Sequence, residues 1–129
     1  MVVRTKRVYE PAEPSDGRRY LVDRLWPRGV KKAELGLTAW LRDLAPSTEL
    51  RAWYGHDPKR YATFRRRYVR ELTGSRELLD RLAREARAGT VTLLYAARDG
   101  TRCNATVLAR LLGPGSKRRG RASGDRLGR

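Results

Sequence analysis

Hydrophobic and polar positions along the chain follow different patterns in turn. Residues 2–9 alternate loosely and are rich in valine, and residues 19–25 form a second apolar run after a turn signal at 14–17. Short runs bounded by turn residues are typical of strands. Residues 90–97 are almost continuously apolar or β-branched, as expected of a strand buried on both faces. The chain is therefore predicted to contain two early strands and one late central strand.

Between these strands the apolar positions recur at helical spacing. The clearest stripe has members three or four residues apart: Tyr61, Phe64, Tyr68 and Leu72. Asp57 and Pro58 supply the start of this helix, as a capping side chain and a proline that needs no hydrogen-bond partner there. A second helix is predicted to begin after Ser75 as its cap and to end at Gly89 in the left-handed conformation.

Shorter helices are predicted from capping and helix-breaking residues. Thr38 is placed to cap a helix that carries Trp40 and ends before the next proline. Ser47 offers the following cap, for a helix that Gly55 ends. A last helix is predicted to start at Asn104, which stands as its cap after the late strand and a short loop.

This order of elements predicts an α/β fold with a small open, mostly parallel sheet, covered by helices in a single three-layer domain. One domain over residues 1–112 suits a chain of 129 residues, because domains of about 100 to 150 residues are common. Residues 113–129 carry six basic side chains and one acidic side chain, with Leu127 as the only large apolar residue. This composition predicts a disordered basic tail.

The composition excludes several classes of protein. The apolar run at residues 91–97 is far below the roughly 20 residues that a membrane-spanning helix needs. No apolar stretch of signal-peptide length follows the N-terminus, so a cytoplasmic protein is expected. Cys103 is the only cysteine and His56 the only histidine, which leaves no internal disulfide and no cluster of metal ligands. Neither a metal nor a cofactor is therefore expected.

The charge balance points to anionic partners. Thirty Lys and Arg residues against 14 Asp and Glu residues give a formal net charge of +16. Such an excess attracts polyanions, nucleic acid above all, through counterion release. Most of the basic residues are arginine, however, and a GC-rich genome enriches arginine without reference to any ligand. Both interpretations stay open at this point.

Two segments lie where open α/β sheets bind ligands, beyond the carboxyl ends of strands. The first contains Asp23, Arg24, Trp26 and Arg28; two guanidinium groups beside an indole can hold a phosphate or carboxylate while the ring stacks on a flat group. In the alternative interpretation, Trp26 fills the edge of the core, Arg24 pairs with an acid, and the segment is a turn. The second segment runs from 95 to 104 and has Asp99, Gly100 and Cys103 ahead of a helix start.

His56 and Cys103 are the weak candidates for catalysis. His56 is the kind of group that a general base needs; it precedes a helix start and has Asp57 beside it, although loop histidines are more often exposed or part of a cap. Cys103 comes just before a helix start and next to Arg102, which would lower the pKa of its thiol. A buried, inert cysteine is the alternative. Nothing in the sequence places the two side chains together.

Several strings of residues resemble a known family. They are KRVY at residues 6–9, LVDRLWPRG at 21–29, PSTELR at 46–51, TLLYAA at 92–97 and the helix start at 104–108. In this order they resemble the YeaO-like proteins of domain-of-unknown-function family 488, over about residues 2–112. LVDRLWPRG is a rare string, so the resemblance is specific.

The resemblance implies a compact α/β domain of the bacterial cytoplasm and brings no established reaction with it. It adds weight to the candidates that fall in the family's strings: Asp23, Arg24, Trp26, Arg28, Tyr95 and Asn104. The resemblance implies that longer relatives in the wider family have a Cys-His-Arg string after the last strand. YeaO-like members commonly have Asn-His there. This chain has Cys103, Asn104 and Ala105, so a mechanism that needs that imidazole is in doubt.

Three functions follow from these observations. In the leading hypothesis both segments form one pocket for an anionic small molecule, such as a nucleotide or a nucleic-acid fragment. Arg24 and Arg28 would grip the anion, Trp26 would stack, and Asp99 and Asn104 would orient the ligand. The first alternative is a non-enzymatic protein that binds nucleic acid without sequence preference, and the second is a hydrolase or transferase using Cys103 or His56.

Overall fold

The computed structural model describes residues 2–113 and contains one four-stranded sheet. Its strands are β1 (Val2–Arg7), β2 (Arg18–Leu21), β3 (Ala39–Trp40) and β4 (Thr90–Tyr95). All neighbours pair in parallel, in the order β1-β4-β2-β3. β4 lies between β1 and β2 and is buried on both faces, which confirms the central strand that its continuous apolar run predicts.

Five α-helices accompany the sheet: α1 (Lys32–Leu35), α2 (Thr48–Tyr54), α3 (Tyr61–Leu72), α4 (Arg76–Ala88) and α5 (Asn104–Leu112). Short 3-10 turns lie at Pro14–Asp16, Arg42–Leu44, Pro58–Arg60 and Thr73–Ser75. The predicted cap of α2 is confirmed, while Asp57 caps the 3-10 turn Pro58–Arg60 that leads into α3. The Ser47 hydroxyl accepts the backbone N–H of Leu50 at 3.1 Å, and the Asp57 carboxylate accepts that of Lys59 at 3.0 Å. Gly55 ends α2 in the left-handed conformation.

The two faces of the sheet are covered unequally. On one face Tyr20, Val91 and Leu93 join the large core with the buried stripes of the long helices. On the other face Leu21 and Leu94 pack with Leu35 of α1, Val8, Trp40 of β3 and neighbouring loop side chains. The predicted α/β domain with a helix-covered sheet is therefore confirmed, with a thin third layer. The predicted tail at 113–129 lies, except for its first residue, outside the described residues.

The helix predicted around Trp40 is wrong. Ala39 and Trp40 instead form the edge strand β3, which pairs with Tyr20 and Leu21 of β2. The backbone N–H of Leu41 continues this pairing with a 2.8 Å hydrogen bond to the carbonyl of Leu21. So short an apolar segment fits a strand and a helix equally well, and pairing with β2 decides the outcome.

Other predicted boundaries need smaller corrections. β2 ends at Leu21, because the chain turns away from the sheet before Asp23. Gly89 is in extended rather than left-handed conformation, with φ −177°. Ser75 stands at the cap position of α4, but its hydroxyl donates to the carbonyl of Asp43 at 3.3 Å instead of capping the helix. The cap position of α5 belongs to Cys103, one residue before the predicted Asn104.

Among the residues that the structure describes, one buried side-chain hydroxyl group has no partner. The Tyr61 hydroxyl makes no hydrogen bond within residues 2–113. Because an unpaired buried hydroxyl costs about 1 to 3 kcal/mol, Tyr61→Phe should leave the free energy of unfolding unchanged or raise it by up to about 1 kcal/mol. Urea unfolding measures the change. Tyr68→Phe is the matched control and should lose about 1 kcal/mol, since the Tyr68 hydroxyl donates to the carbonyl of Leu44. A comparable loss in both variants would contradict the prediction.

None of the helices described within residues 2–113 is long and apolar enough to cross a membrane.

Candidate functional site

A cavity of about 360 Å³ lies beyond the carboxyl ends of β2 and β4, at the N-terminus of α5. Seven of the residues singled out in the sequence line it: Asp23, Arg24, Trp26, Arg28, His56, Cys103 and Asn104. Because β2 and β4 are parallel neighbours, their following loops leave the sheet at the same edge. The structure thus brings the two predicted segments together in one pocket.

Asp23 connects the two segments. One of its carboxylate oxygens accepts the backbone N–H of Ala96 at 2.9 Å, and the other accepts the side-chain amide of Asn104 at 3.1 Å. The same amide of Asn104 donates to the carbonyl of Val22 at 2.8 Å, and the Trp40 indole donates to the backbone carbonyl of Asp23 at 2.7 Å. These bonds fix the end of β2 to the loop after β4 and to the first turn of α5.

The carboxylate of Asp23 lacks an ion pair within residues 2–113. Burial raises the pKa of Asp23 above its ordinary value, while the hydrogen bonds from Ala96 and Asn104 and the charges of Arg51 and His56 oppose the shift. Each carboxylate oxygen can accept more than the one bond it has here. Asp23 is therefore both a structural link and an available acceptor on the cavity wall.

Arg24 and Trp26 are largely engaged in holding the loop. The Arg24 guanidinium donates to the carbonyl of Pro46 at 3.1 Å and to that of Ala45 at 3.5 Å, so the predicted acid partner is replaced by two backbone carbonyls. The Trp26 indole donates to the carbonyl of Val30 at 2.7 Å and meets Trp40 edge to face, with 5.4 Å between ring centroids. Both side chains line the cavity while stabilising its wall.

Arg28 and Arg51 present the free cations of the site. Both side chains are exposed at the cavity, and neither guanidinium makes a hydrogen bond or ion pair within residues 2–113. Arg28 is held through its backbone carbonyl, which accepts the Tyr9 hydroxyl at 3.1 Å. Arg51 lies in α2, and its positive charge opposes the rise in the pKa of Asp23. An anion at the mouth of the cavity would therefore meet two available guanidiniums.

Of the two interpretations of Cys103, the structure supports the buried cysteine over the thiol with a lowered pKa. The thiol is buried, with its sulfur 3.9 Å from the carbonyl of Gly100 and 3.5 Å from the Thr106 hydroxyl. Burial raises the pKa of Cys103, and hydrogen bonding around Thr106 opposes this only in part. The helix terminus was expected to favour the thiolate, but desolvation outweighs it. The side chain lines the cavity as a protonated thiol.

His56 stands at the cavity in a left-handed conformation, with φ 58°, directly after Gly55. The imidazole is exposed and lies beside Tyr54, with ring centroids 5.7 Å apart. Residues other than glycine rarely adopt a positive φ angle, so the backbone turn at His56 is constrained. His56 and Cys103 share the cavity wall, but no hydrogen bond joins them within the described part of the chain.

Tyr95 and Asp99 lie outside the lining of the cavity. The Tyr95 ring packs beside Gly100, where an added Cβ would clash with the phenol oxygen. Asp99 organises its own loop by accepting the backbone N–H of Thr101 at 2.9 Å and pairing with Arg102 at 3.3 Å. Hydrogen bonds donated by the hydroxyl and the backbone N–H of Thr101 are the main cause that lowers the pKa of Asp99. Both residues contribute to the conformation of the loop after β4 and not to the cavity wall.

Sequence reasoning missed five residues of the wall: Tyr9, Pro46, Arg51, Tyr54 and Phe64. The Tyr54 hydroxyl donates to the carbonyl of Arg102 at 2.6 Å, and burial raises the pKa of Tyr54 to about 12, so this phenol stays protonated. Arg51 and Tyr54 are three residues apart on α2 and share a face of that helix. This spacing was visible in the sequence, but nothing there showed that the face meets the loop after β2.

Comparison with known proteins decides the family. Residues 2–125 match the family model described as the inactive DUF488-N3 subclade. The uncharacterized protein YeaO of Escherichia coli strain K12 is 50% identical over 109 residues, which cover 84% of this chain and 95% of YeaO. The chain belongs to the YeaO-like DUF488 family. An uncharacterized Mycobacterium tuberculosis protein (strain H37Rv) is 46% identical over 110 residues, covering 85% of this chain and 92% of that protein. No solved structure gives a significant match.

The family motif of this YeaO-like chain supplies much of the site. LVDRLWPRG runs from the end of β2 along one side of the cavity, and six of its residues line it: Asp23, Arg24, Leu25, Trp26, Pro27 and Arg28. Among the residues that the structure describes, no group of three His, Cys, Asp or Glu side chains is arranged to hold a metal ion. The functional groups of the wall are guanidiniums, aromatic rings, the Asp23 carboxylate, the Asn104 amide and the Cys103 thiol.

Proposed function

We propose that this YeaO-like domain binds a small molecule carrying a phosphate or carboxylate group, such as a nucleotide or a nucleic-acid fragment, and binds it without transforming it. The observation that carries the proposal is the pair of exposed guanidiniums of Arg28 and Arg51 at the cavity, unpaired within residues 2–113. Arginine forks match the oxygens of phosphate and carboxylate groups in geometry and charge. The anion-binding role first given to Arg24 passes in this proposal to Arg51.

The remaining walls suit a flat organic ligand. Tyr9, Trp26 and Tyr54 supply aromatic surface, and the volume of about 360 Å³ lies at the lower end of the range for small-molecule pockets. Inside the cavity the Asp23 carboxylate offers an acceptor for a hydroxyl or amino group of the ligand. A molecule with an anionic end and hydroxyl or amino donors, as in a nucleotide, would use both parts of the site.

Binding has better support than catalysis. The matching family model is described as an inactive subclade, and the Cys103 thiol is buried with a raised pKa. Nucleophilic cysteines need the opposite shift and an adjacent base. His56 makes no hydrogen bond to Cys103 within residues 2–113. A hydrolase or transferase using these two side chains therefore ranks below a binding pocket.

The double variant Arg28→Ala/Arg51→Ala tests the proposal. Calorimetric titration of the full chain would use adenosine monophosphate, inorganic phosphate and citrate as probes. A probe that binds the wild type should bind the double variant about tenfold more weakly or worse, since each tenfold loss corresponds to about 1.4 kcal/mol. The free energy of unfolding should change by no more than about 1 kcal/mol, because both side chains are exposed.

The matched control is Arg76→Ala/Arg87→Ala, which removes two exposed arginines from α4 at positions away from the cavity. It should bind every probe like the wild type. Equal weakening in both double variants would show that net charge alone attracts the probes, and the pocket would lose its support. Weakening in the Arg28→Ala/Arg51→Ala variant alone supports the assignment, and the comparison of nucleotide with phosphate shows whether the aromatic walls contribute.

A further inference from the structure

A second basic surface lies on α3, away from the cavity. It consists of Lys59, Arg60, Arg66, Arg67 and Arg70, and is called here the α3 basic face. All five side chains are exposed, and none of them lines the cavity. The first two belong to the 3-10 turn that leads into α3, and the other three belong to the helix itself.

Helical geometry places these charges on one side. Phe64, Tyr68 and Leu72 are buried against the core at four-residue spacing, which fixes the inward side of α3. At about 100° per residue, Arg66 and Arg70 then point to the opposite side, and Arg67 lies next to them. The face therefore runs along the outside of α3 as a continuous basic strip.

The strip is poorly neutralised by the protein itself. Within residues 2–113 its only ion pair joins Arg60 to Asp57 at 3.7 Å. Arg66 donates to the uncharged Thr63 hydroxyl at 3.1 Å. The nearest acidic side chain along the helix, Glu71, is engaged by the backbone and hydroxyl of Ser47. Like charges three and four residues apart destabilise a helix, so this arrangement costs stability that an external polyanion would restore.

Two arginines of the face are already fixed in position. The guanidiniums of Arg67 and Arg60 lie 4.6 Å and 5.2 Å from the centroid of the Trp53 ring. Arg60 also donates to the backbone carbonyl of Trp53. Cation–π contact holds both charges over α2 and reduces the conformational freedom that binding would otherwise remove.

We propose that the α3 basic face binds the phosphate backbone of double-stranded nucleic acid. A single strand would need aromatic rings free to stack on its bases, but the Trp53 ring is in contact with two guanidiniums. A lipid surface would need apolar side chains beside the charges. The exposed large hydrophobic residues described are Val2, Tyr9, Leu25 and Leu111, and none of them belongs to α2 or α3. The outside of one regular helix fits the groove and backbone of a duplex.

The test compares two charge-matched variants of the full chain. Arg66→Gln/Arg67→Gln/Arg70→Gln removes three charges from the α3 basic face, and Arg76→Gln/Arg84→Gln/Arg87→Gln removes three from exposed positions on α4. Fluorescence anisotropy would follow binding to a labelled 20-base-pair DNA duplex at several salt concentrations, with circular dichroism confirming that each variant is folded. Residues 114–129 are present in all variants and contribute equally.

The α3 variant should lose about 2 to 3 units from the slope of log binding constant against log salt, since each duplex phosphate contact contributes about 0.9. The α4 variant should keep the wild-type slope to within about 0.5. Equal losses in both variants, or unchanged duplex binding in the α3 variant, would overturn the proposal. So would a loss confined to single-stranded DNA or to phosphatidylserine vesicles. The Arg28→Ala/Arg51→Ala variant should keep its duplex binding, which separates this surface from the pocket.

Discussion

Arg19→Met is expected to lower the free energy of unfolding by about 3 kcal/mol, as is usual when one partner of a buried ion pair is removed. Arg19 and Asp16 are 5% and 1% exposed and form a direct ion pair. Arg19 also donates to the carbonyl of Leu35 at 3.0 Å, and so connects β2 to α1. Methionine fills a similar volume but leaves Asp16 with a missing partner. Urea unfolding at pH 7 measures the loss.

The control is Arg18→Met, the exposed neighbour of the buried arginine. Arg18 pairs with Glu85 at 3.2 Å on the surface, so its loss should cost no more than about 1 kcal/mol. If the two variants lose similar amounts, the Asp16–Arg19 pair does not have the importance assigned to it.

Acid titration gives a second measurement on the same pair. Burial by itself would raise the pKa of Asp16, but hydrogen bonds from the Glu13 backbone, Lys6 and Arg19 outweigh it and lower the pKa below the ordinary value of 3.8. A lowered pKa means that the unfolded chain takes up the proton first, so this stabilisation is present above about pH 4 and is lost as the pH falls further. The difference between wild type and Arg19→Met should therefore shrink below about pH 4.

The parts of the fold that the sequence predicts are those with a strong local signal. The apolar run of β4 and the buried stripe of α3 each determine an element by themselves. β3 has only two residues and no period of its own, and it exists because β2 lies beside it. Gly89 likewise takes its conformation from the start of β4 directly after it, rather than from the end of the helix.

The candidate site likewise has a part that the sequence predicts and a part that it does not. Asp23 and Asn104 are 81 residues apart, yet their meeting was predictable because the loops after parallel neighbouring strands leave the sheet at one edge. Arg51 reaches the cavity through the packing of α2, for which no such rule exists. Asp99 was expected in the pocket from its loop position, but Thr101 and Arg102 hold it within the loop instead. Side-chain partners of this kind depend on contacts that the sequence does not specify.

The LVDRLWPRG string mostly encodes the shape of the site. Asp23 joins the strand ends, Arg24 holds the carbonyls of residues 45 and 46, and Trp26 closes the loop on Val30. Arg28 alone among its charged residues makes no side-chain hydrogen bond or ion pair within residues 2–113. Most of the polar side chains of this string therefore serve to fix the conformation of one loop. Within this string, the contact proposed with the anionic group of the ligand depends on a single arginine.

Truncation of Phe64, a buried aromatic residue of the cavity wall, should lower the free energy of unfolding more than any other single truncation. Phe64 is 2% exposed, lines the cavity, and stacks on Tyr54 and Tyr68 with ring centroids 4.2 Å and 5.6 Å away. Phe64→Ala removes buried ring carbons and both stacking contacts, so the free energy of unfolding should fall by about 3 to 5 kcal/mol. Urea unfolding, followed by far-ultraviolet circular dichroism, measures the change.

Phe64→Leu distinguishes lost volume from lost stacking. Leucine keeps part of the buried volume and none of the aromatic contact, so this variant should lose roughly half as much stability as Phe64→Ala. A loss of less than about 1 kcal/mol in Phe64→Ala would mean that the core and the cavity wall collapse around the missing ring. Phe64 would then not act as a rigid support for Tyr54 and the cavity wall. A loss in the expected range would instead show that the wall of the cavity is part of the hydrophobic core, so that substitutions there would alter stability together with the proposed binding.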